Sequence, residues 1–167
     1  VTYTQWLLNY RLKLGAALYF INGKDMIQTQ MVDGKPKNMN VGKFINKGFE
    51  IEAYYRFHPL WSISANYSYI HTDNNTIYVP KNKLCGRLMY TPGKFEFELE
   101  NQNIWALQNG NPDGTTAKYT LLNFRGAYTF GTKVPVTALV KLDNFTNRHY
   151  QVVYGCPMPG ITIMGGV

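Results

Sequence analysis

The feature that most constrains this chain is an alternation of apolar and polar residues in runs of about ten, each closed by a turn. Beginning at Phe95, the residues Phe95, Phe97 and Leu99 share one parity, and Glu96, Glu98 and Glu100 share the other. Successive side chains of a β-strand point to opposite faces, so three carboxylates stand on one face and three large apolar groups on the other. A soluble sandwich must bury the oily face against a second sheet. An outer-membrane barrel turns that face to lipid and lines a lumen with the wet one.

Eight strands can be read along the chain. The first runs from Arg11 to near Thr29, with Leu12, Leu14, Ala16, Leu18 and Phe20 on one face, and exceeds one bilayer crossing. After a polar link from Asp33 to Asn40, holding the Asp33-Gly34 turn signal, the second carries Phe49, Ile51, Ala53, Tyr55 and Phe57 against Glu50, Glu52 and Arg56. The third alternates Trp61, Ile63, Ala65, Tyr67 and Tyr69 with Ser62, Ser64, Asn66 and Ser68. The fourth follows Pro80 and holds Leu84, Gly86, Leu88 and Tyr90 opposite Cys85, Arg87 and Met89. The Glu-rich fifth ends near Trp105, the sixth carries Leu122 to Phe130, the seventh Val136 to Leu142 and the eighth Ile161 to Val167.

The links are sorted. Those after the second, fourth and sixth strands are short (His58 to Leu60, Thr91 to Lys94, Gly131 to Lys133), and those after the first, third and fifth are long and polar. A meander with short turns at one end and long loops at the other is the outer-membrane layout, and a sandwich has no reason for it. The expected fold is therefore all-β, an antiparallel up-and-down meander of about eight strands forming part of a larger transmembrane β-barrel. Thirteen Tyr, nine Phe and three Trp supply interfacial aromatics, and only 16% of residues are charged. The net charge of +7 is scattered among Glu rather than gathered in a patch, and no nucleic-acid motif accompanies it. Cys85 and Cys156 are too few for a disulfide framework and read as two unpaired thiols.

The last fifty residues resemble the C-terminal end of TonB-dependent outer-membrane receptors. The resemblance lies in Tyr119, Leu121-Leu122-Asn123 and Tyr128, in Asp143-Asn144-Phe145-Thr146-Asn147 with Tyr150, and in Tyr154-Gly155-Cys156-Pro157-Met158-Pro159-Gly160. Upstream, Asn46-Lys47-Gly48-Phe49-Glu50 is similar to the family's Gly-aromatic-Glu strand opening. The resemblance implies a 22-stranded barrel in the bacterial outer membrane, filled by an N-terminal plug. It imports a scarce ligand such as an iron chelate, haem, cobalamin or a glycan on energy from the TonB complex. Residues 1–167 are then expected to be a C-terminal barrel segment without the plug, both ends reading as cut. The alternative is a small self-closed eight-stranded barrel with a structural or adhesive role, since eight strands can close on a side-chain-filled interior.

The residue pattern supports no enzyme and requires no cofactor. His71-Thr72-Asp73 has the residue types of a His/Asp hydrolytic site, but without a second acidic pair or matching His it reads as the start of a polar loop. His149 reads as solvated, and the Asn and Asp clusters lack the spacing of a calcium loop. His71, Asp73, Tyr78, Trp105 and Asn109 are the candidate ligand contacts of the outer loops, with Trp61, Tyr78 and Trp105 equally suited to anchoring at the membrane interface. The opposed charges Glu50, Glu52, Arg56, Arg87, Glu96, Glu98, Glu100, Arg125 and Lys141 are expected to pair across strands and line a wet lumen.

Overall fold

The computed structural model describes residues 1–24, 27–33, 35–40, 42–72 and 78–167. Thirteen strands occur among them: β1 (Thr2–Leu7), β2 (Leu12–Gly23), β3 (Ile27–Val32), β4 (Lys35–Asn40), β5 (Phe44–His58), β6 (Trp61–Thr72), β7 (Pro80–Tyr90), β8 (Phe95–Leu107), β9 (Ala117–Phe130), β10 (Val136–Asp143), β11 (Gln151–Val153), β12 (Cys156–Pro157) and β13 (Thr162–Gly166). Nine of them form one antiparallel sheet in the order β1-β2-β5-β6-β7-β8-β9-β10-β13. The other four make two small ribbons, β3-β4 and β11-β12. The sheet is a meander that does not close: β1 and β13 are its two edges.

Each strand read from the sequence has its counterpart, with three differences, one of them the unexpected β11-β12 ribbon between β10 and β13. The structure adds β1, joined to β2 by a turn in which Leu8, Asn9 and Tyr10 all have positive φ (53°, 53° and 64°). The first strand also stops at Gly23, and the segment expected to be a polar link is half of a hairpin, with Val32 opposite Lys35 across a two-residue turn at Asp33 (φ 51°). The positive φ at Asp33 suits a tight hairpin turn, so the chain doubles back instead of extending.

Register decides which face each side chain takes. Reading across the sheet, Leu14, Ala53, Ala65, Gly86, Asn101 and Leu122 form one row, flanked by Leu12, Tyr55, Ile63, Leu88, Leu99 and Phe124. This face is apolar and open: Leu18 is 64% exposed, Phe20 65% and Ile163 69%. Among the described residues no layer covers it, which in water would be untenable and in lipid is required. Among the described residues, the buried apolar side chains are Ile104, Leu107, Leu121 and Ala127, clustered on β8 and β9. The usual globular core is therefore missing from the described structure, and the apolar area is turned outward instead.

Aromatic rings mark the lower edge of that band. Tyr55, Phe57, Trp61, Tyr90, Phe97, Phe95, Tyr128 and Phe130 run ring to ring at centroid separations of 4.3 to 6.4 Å, all at the short-turn ends of their strands. At the other end Phe49 contacts Tyr67 and Tyr69 at 5.8 and 5.6 Å. From Trp61 to Tyr69 along β6 is about 26 Å, or about 20 Å of height for a strand tilted by about 40°. That height approaches the apolar band of an outer-membrane barrel.

Candidate functional site

The concave face carries the charge. Lys13 Nζ meets Glu52 at 2.6 Å, Arg87 bridges Glu98 (3.0 Å) and Glu100 (2.9 Å), Arg125 pairs with Glu96, and Lys141 Nζ reaches Asp143 at 3.0 Å. Asn123 adds an amide hydrogen bond to Glu100 at 3.0 Å. All of these residues share the inward parity, as the sequence predicts, and most pairs link adjacent strands. A trough of about 660 Å³ lies over β1, β2, β5, β6 and β7 around the Lys13–Glu52 pair, lined by Thr4, Lys13, Glu50, Glu52, Tyr54 and Lys83 among others. Tyr19 lies in this face over Gly48, and its hydroxyl donates to the carbonyl of Tyr69 at 3.3 Å. A Cβ at Gly48 would collide with that ring and with Tyr69 O, so the position is open only to glycine.

At the long-loop end, backbone groups tie three loops together. The Tyr78 amide donates to Gln108 O at 2.6 Å, and the Tyr154 amide donates to Asn109 O at 2.7 Å. Asn109 is buried, and its Oδ1 accepts the Asn111 amide at 3.3 Å. Beyond it, Asp113 Oδ1 accepts the Thr115 amide at 2.7 Å, which holds that carboxyl below its ordinary range. The return loop between β10 and β13 is fixed by Asn144, also buried. Its amide nitrogen donates to Asn123 Oδ1 (2.9 Å), its Nδ2 to the carbonyls of Arg148 (2.9 Å) and Pro159 (3.3 Å), and its Oδ1 accepts the Arg148 amide (2.8 Å). Tyr150 of this loop stacks on Tyr119 at 4.6 Å.

The five candidate contacts are thereby distributed rather than gathered. Tyr78 and Asn109 meet through Gln108 at the loop junction. His71 lies at the end of β6 opposite Lys47, on the outward parity. Trp105 is also outward, opposite Asn82 on β7. Asp73 lies outside the described residues. Tyr154 was not singled out as a site residue by the sequence, because a contact made through its main-chain amide leaves no side-chain motif; Asn144 stands in the Asp143 to Asn147 motif, but its role in holding the loop's own backbone shows only in the structure. Among the described residues no three His, Cys, Asp or Glu side chains gather as a metal-ligand set, and Cys85 and Cys156 are both free thiols.

A family model described as TonB dependent receptor-like, beta-barrel, matches residues 2–145. The chain belongs to the TonB-dependent receptor family. Members of this family are outer-membrane proteins of Gram-negative bacteria, so the open apolar face is lipid-facing and the charged face lines the lumen. Among solved structures, the copper transporter OprC superposes with a TM-score of 0.74 at 21% identity, covering 92% of this chain and 28% of its own. FpvA of P. aeruginosa bound to heterologous pyoverdines gives 0.63 at 19%, covering 97% and 25%. The ferric-catecholate import receptor Fiu of E. coli K12 gives 0.66 at 16%, covering 97% and 26%. At these identities the likeness is one of fold, and the TonB-dependent receptor segment spans about a quarter of the length of each. No curated protein matches the chain.

Proposed function

We propose that residues 1–167 are a C-terminal wall segment of a TonB-dependent transporter for a scarce ligand such as an iron chelate, haem, cobalamin or a glycan. In this reading a plug domain outside these residues fills the lumen and couples to TonB. The inward face carries the proposal. A ladder of Lys13, Glu52, Arg87, Glu98, Glu100 and Arg125 is costly to present to lipid but well suited to hold a polar plug. Tyr78 and Asn109, at the junction of three outer loops, are the ligand contacts this reading favours, with Tyr154 beside them. The wall and loops do no covalent chemistry here; their work is to bind, orient and admit.

The test compares the intact receptor carrying this segment with residues 1–167 alone, each exported in a receptor-deleted host. The intact receptor should restore proton-motive-force-dependent uptake of one of the candidate ligands, and the segment alone should restore none. In lipid its two sheet edges, β1 and β13, present unpaired backbone groups. Uptake by the segment alone would overturn the proposal in favour of a small self-closed barrel.

A further inference from the structure

The foot of the wall, where the short turns lie, carries charge of one sign only. Arg11 ends the β1-β2 turn, Arg56 stands near the end of β5, Lys94 ends the β7-β8 turn and Lys133 lies in the β9-β10 turn, all four exposed. No Asp or Glu occurs in residues 6–14, 53–63, 86–95 or 127–137, the turns and the strand ends that flank them. Arg11 and Arg56 are cross-strand neighbours, and Lys94 and Lys133 follow further along the sheet. At the ordinary spacing of paired strands the row is about 25 Å long.

Nothing on the wall neutralises this row. Among the described residues none of the four takes part in an ion pair, although Lys13, Arg87, Arg125 and Lys141, higher on the inward face, all do. Two of them are even set side by side: one step beyond the Leu12–Tyr55 pair, the Arg56 amide donates to Arg11 O at 2.8 Å. Like charges directly across a strand pair destabilise it, so the fold carries a cost here that an anion from elsewhere would relieve. The turns are also fixed to their neighbours. The Thr91 amide donates to Leu60 O and the Thr129 amide to Lys94 O, each at 2.9 Å, so the row is a rigid edge rather than four loose tips.

The side on which these cations stand decides between anions. Arg11, Arg56 and Lys94 continue the inward parity of Lys13, Tyr54 and Glu96, and the Arg56 side chain hydrogen-bonds the Tyr54 phenol. Phospholipid headgroups surround the outward side, so they do not meet this row. A single small anion cannot span it. The matching partner is an extended polyanion lying under the membrane. Leu8, Tyr10 and Val134, at 60%, 79% and 73% exposure, project from the same turns and give that partner small apolar footholds between the charges. In a Gram-negative envelope the layer beneath an outer-membrane protein is the cell wall, a glycan mesh whose short peptides alternate small apolar and carboxylate-bearing residues.

We propose that the short-turn rim is a docking surface for the acidic peptides of the cell wall. Arg11 and Arg56 share one carboxylate, Lys94 and Lys133 take others along the same strand of wall, and Tyr10 and Val134 pack on the peptide between them. The surface rests on the short turns facing the periplasm and is independent of which ligand the receptor transports.

The intact receptor, purified in detergent, is sedimented with isolated cell-wall sacculi. It should co-sediment at low salt and be released at roughly 0.5 M salt, where the screening length falls below about 5 Å. Sacculi whose carboxylates have been converted to amides should not hold it. The variant Arg11→Gln/Arg56→Gln/Lys94→Gln/Lys133→Gln should lose on the order of tenfold in affinity, a little under twofold for each exposed charge. Exchanging the same four positions between Arg and Lys should keep binding. So should Lys35→Gln/Lys37→Gln/Lys118→Gln/Arg148→Gln, which removes as much charge from the long-loop end. Heat-modified gel mobility establishes that each variant is folded. Undiminished binding by the rim variant or to amidated sacculi would overturn the proposal, as would an equal loss in the long-loop variant. Rim-dependent retention of phosphatidylglycerol in native mass spectrometry without binding to sacculi would assign the row to lipid instead, and binding of poly-glutamate but not sacculi would assign it to an acidic protein. Labelling of Lys94→Cys on intact cells by an impermeant thiol reagent would remove the rim from the periplasm altogether.

Discussion

The outward row through Ala65 gives a direct measure of what surrounds the wall. Ala65 lies four residues from Trp61 and four from Tyr69, so it sits about 10 Å in height from each ring layer, near the bilayer midplane. Its cross-strand neighbours are Ala53 and Gly86, and a Cβ at Gly86 would meet nothing within 4 Å. An arginine at this position therefore meets no steric obstacle. The cost of Ala65→Arg is the transfer of a guanidinium into hydrocarbon, about 2 to 4 kcal/mol at the midplane. The adjacent Asn66 faces the lumen between Glu52 and Cys85, so Asn66→Arg gains a carboxylate neighbour and should cost under about 1 kcal/mol. Reversible folding of the receptor into phospholipid vesicles against urea, read by gel mobility, measures both. Equal losses at the two positions would refute the assignment of the apolar parity to lipid.

Leu18→Arg, opposite Phe49 in the upper ring layer, should cost less than Ala65→Arg in the same folding assay, because lipid-face penalties fall toward about 0 to 1 kcal/mol near the interface. With Cys85 and Cys156 replaced by Ser, an impermeant thiol reagent on intact cells should mark Asp113→Cys and spare Lys94→Cys. Lys94 is chosen over its neighbour Gly93, whose φ of 61° a side chain would strain. The reverse labelling would invert the topology. Gly48→Val should destabilise the barrel by about 1 to 3 kcal/mol through its clash with Tyr19 and Tyr69, measured by the urea midpoint. The Thr115 amide holds the Asp113 carboxyl below its ordinary range, so this contact is fully present above the unfolded carboxylate pKa and is lost as pH falls through the depressed folded value. Hydrogen exchange at the Thr115 amide should accelerate over that acidic interval and stay unchanged between neutral and mildly basic pH once corrected for intrinsic exchange.

How far the sequence could be read follows from which interactions leave a trace in it. The strict alternation of β6 and β8 comes from a face divided between lipid and lumen, so strands, faces and inward charges were all legible. β1 escaped because its turn, Leu8-Asn9-Tyr10, contains neither Gly nor Pro, and because Gln5 interrupts its outward side between Tyr3 and Leu7. Leu107 shares the β9-facing parity of Ile104, where an unbroken strand would put the two on opposite faces, because the β8-β9 register shifts by one between them, with Ala106 at a φ of 51°. A bulge of this kind is set by backbone geometry. The meeting of Tyr78, Gln108, Asn109 and Tyr154 was equally invisible, since it is made by amides and carbonyls that every residue possesses.

Asn144 has a consequence for how such a receptor can change over generations. Its side chain secures the return loop at Arg148 on the outgoing side and Pro159 on the incoming side, and Asn147 Oδ1 adds the Ile161 amide at 3.1 Å. The frame of the loop is thus set at its base, and between those points the Gln151–Val153 and Cys156–Pro157 ribbon is held by its own backbone and by the Tyr154 main-chain amide on Asn109 O. Substitutions along that stretch can accumulate without disturbing the wall, so recognition is free to drift while the barrel stays intact, as long as one asparagine is kept.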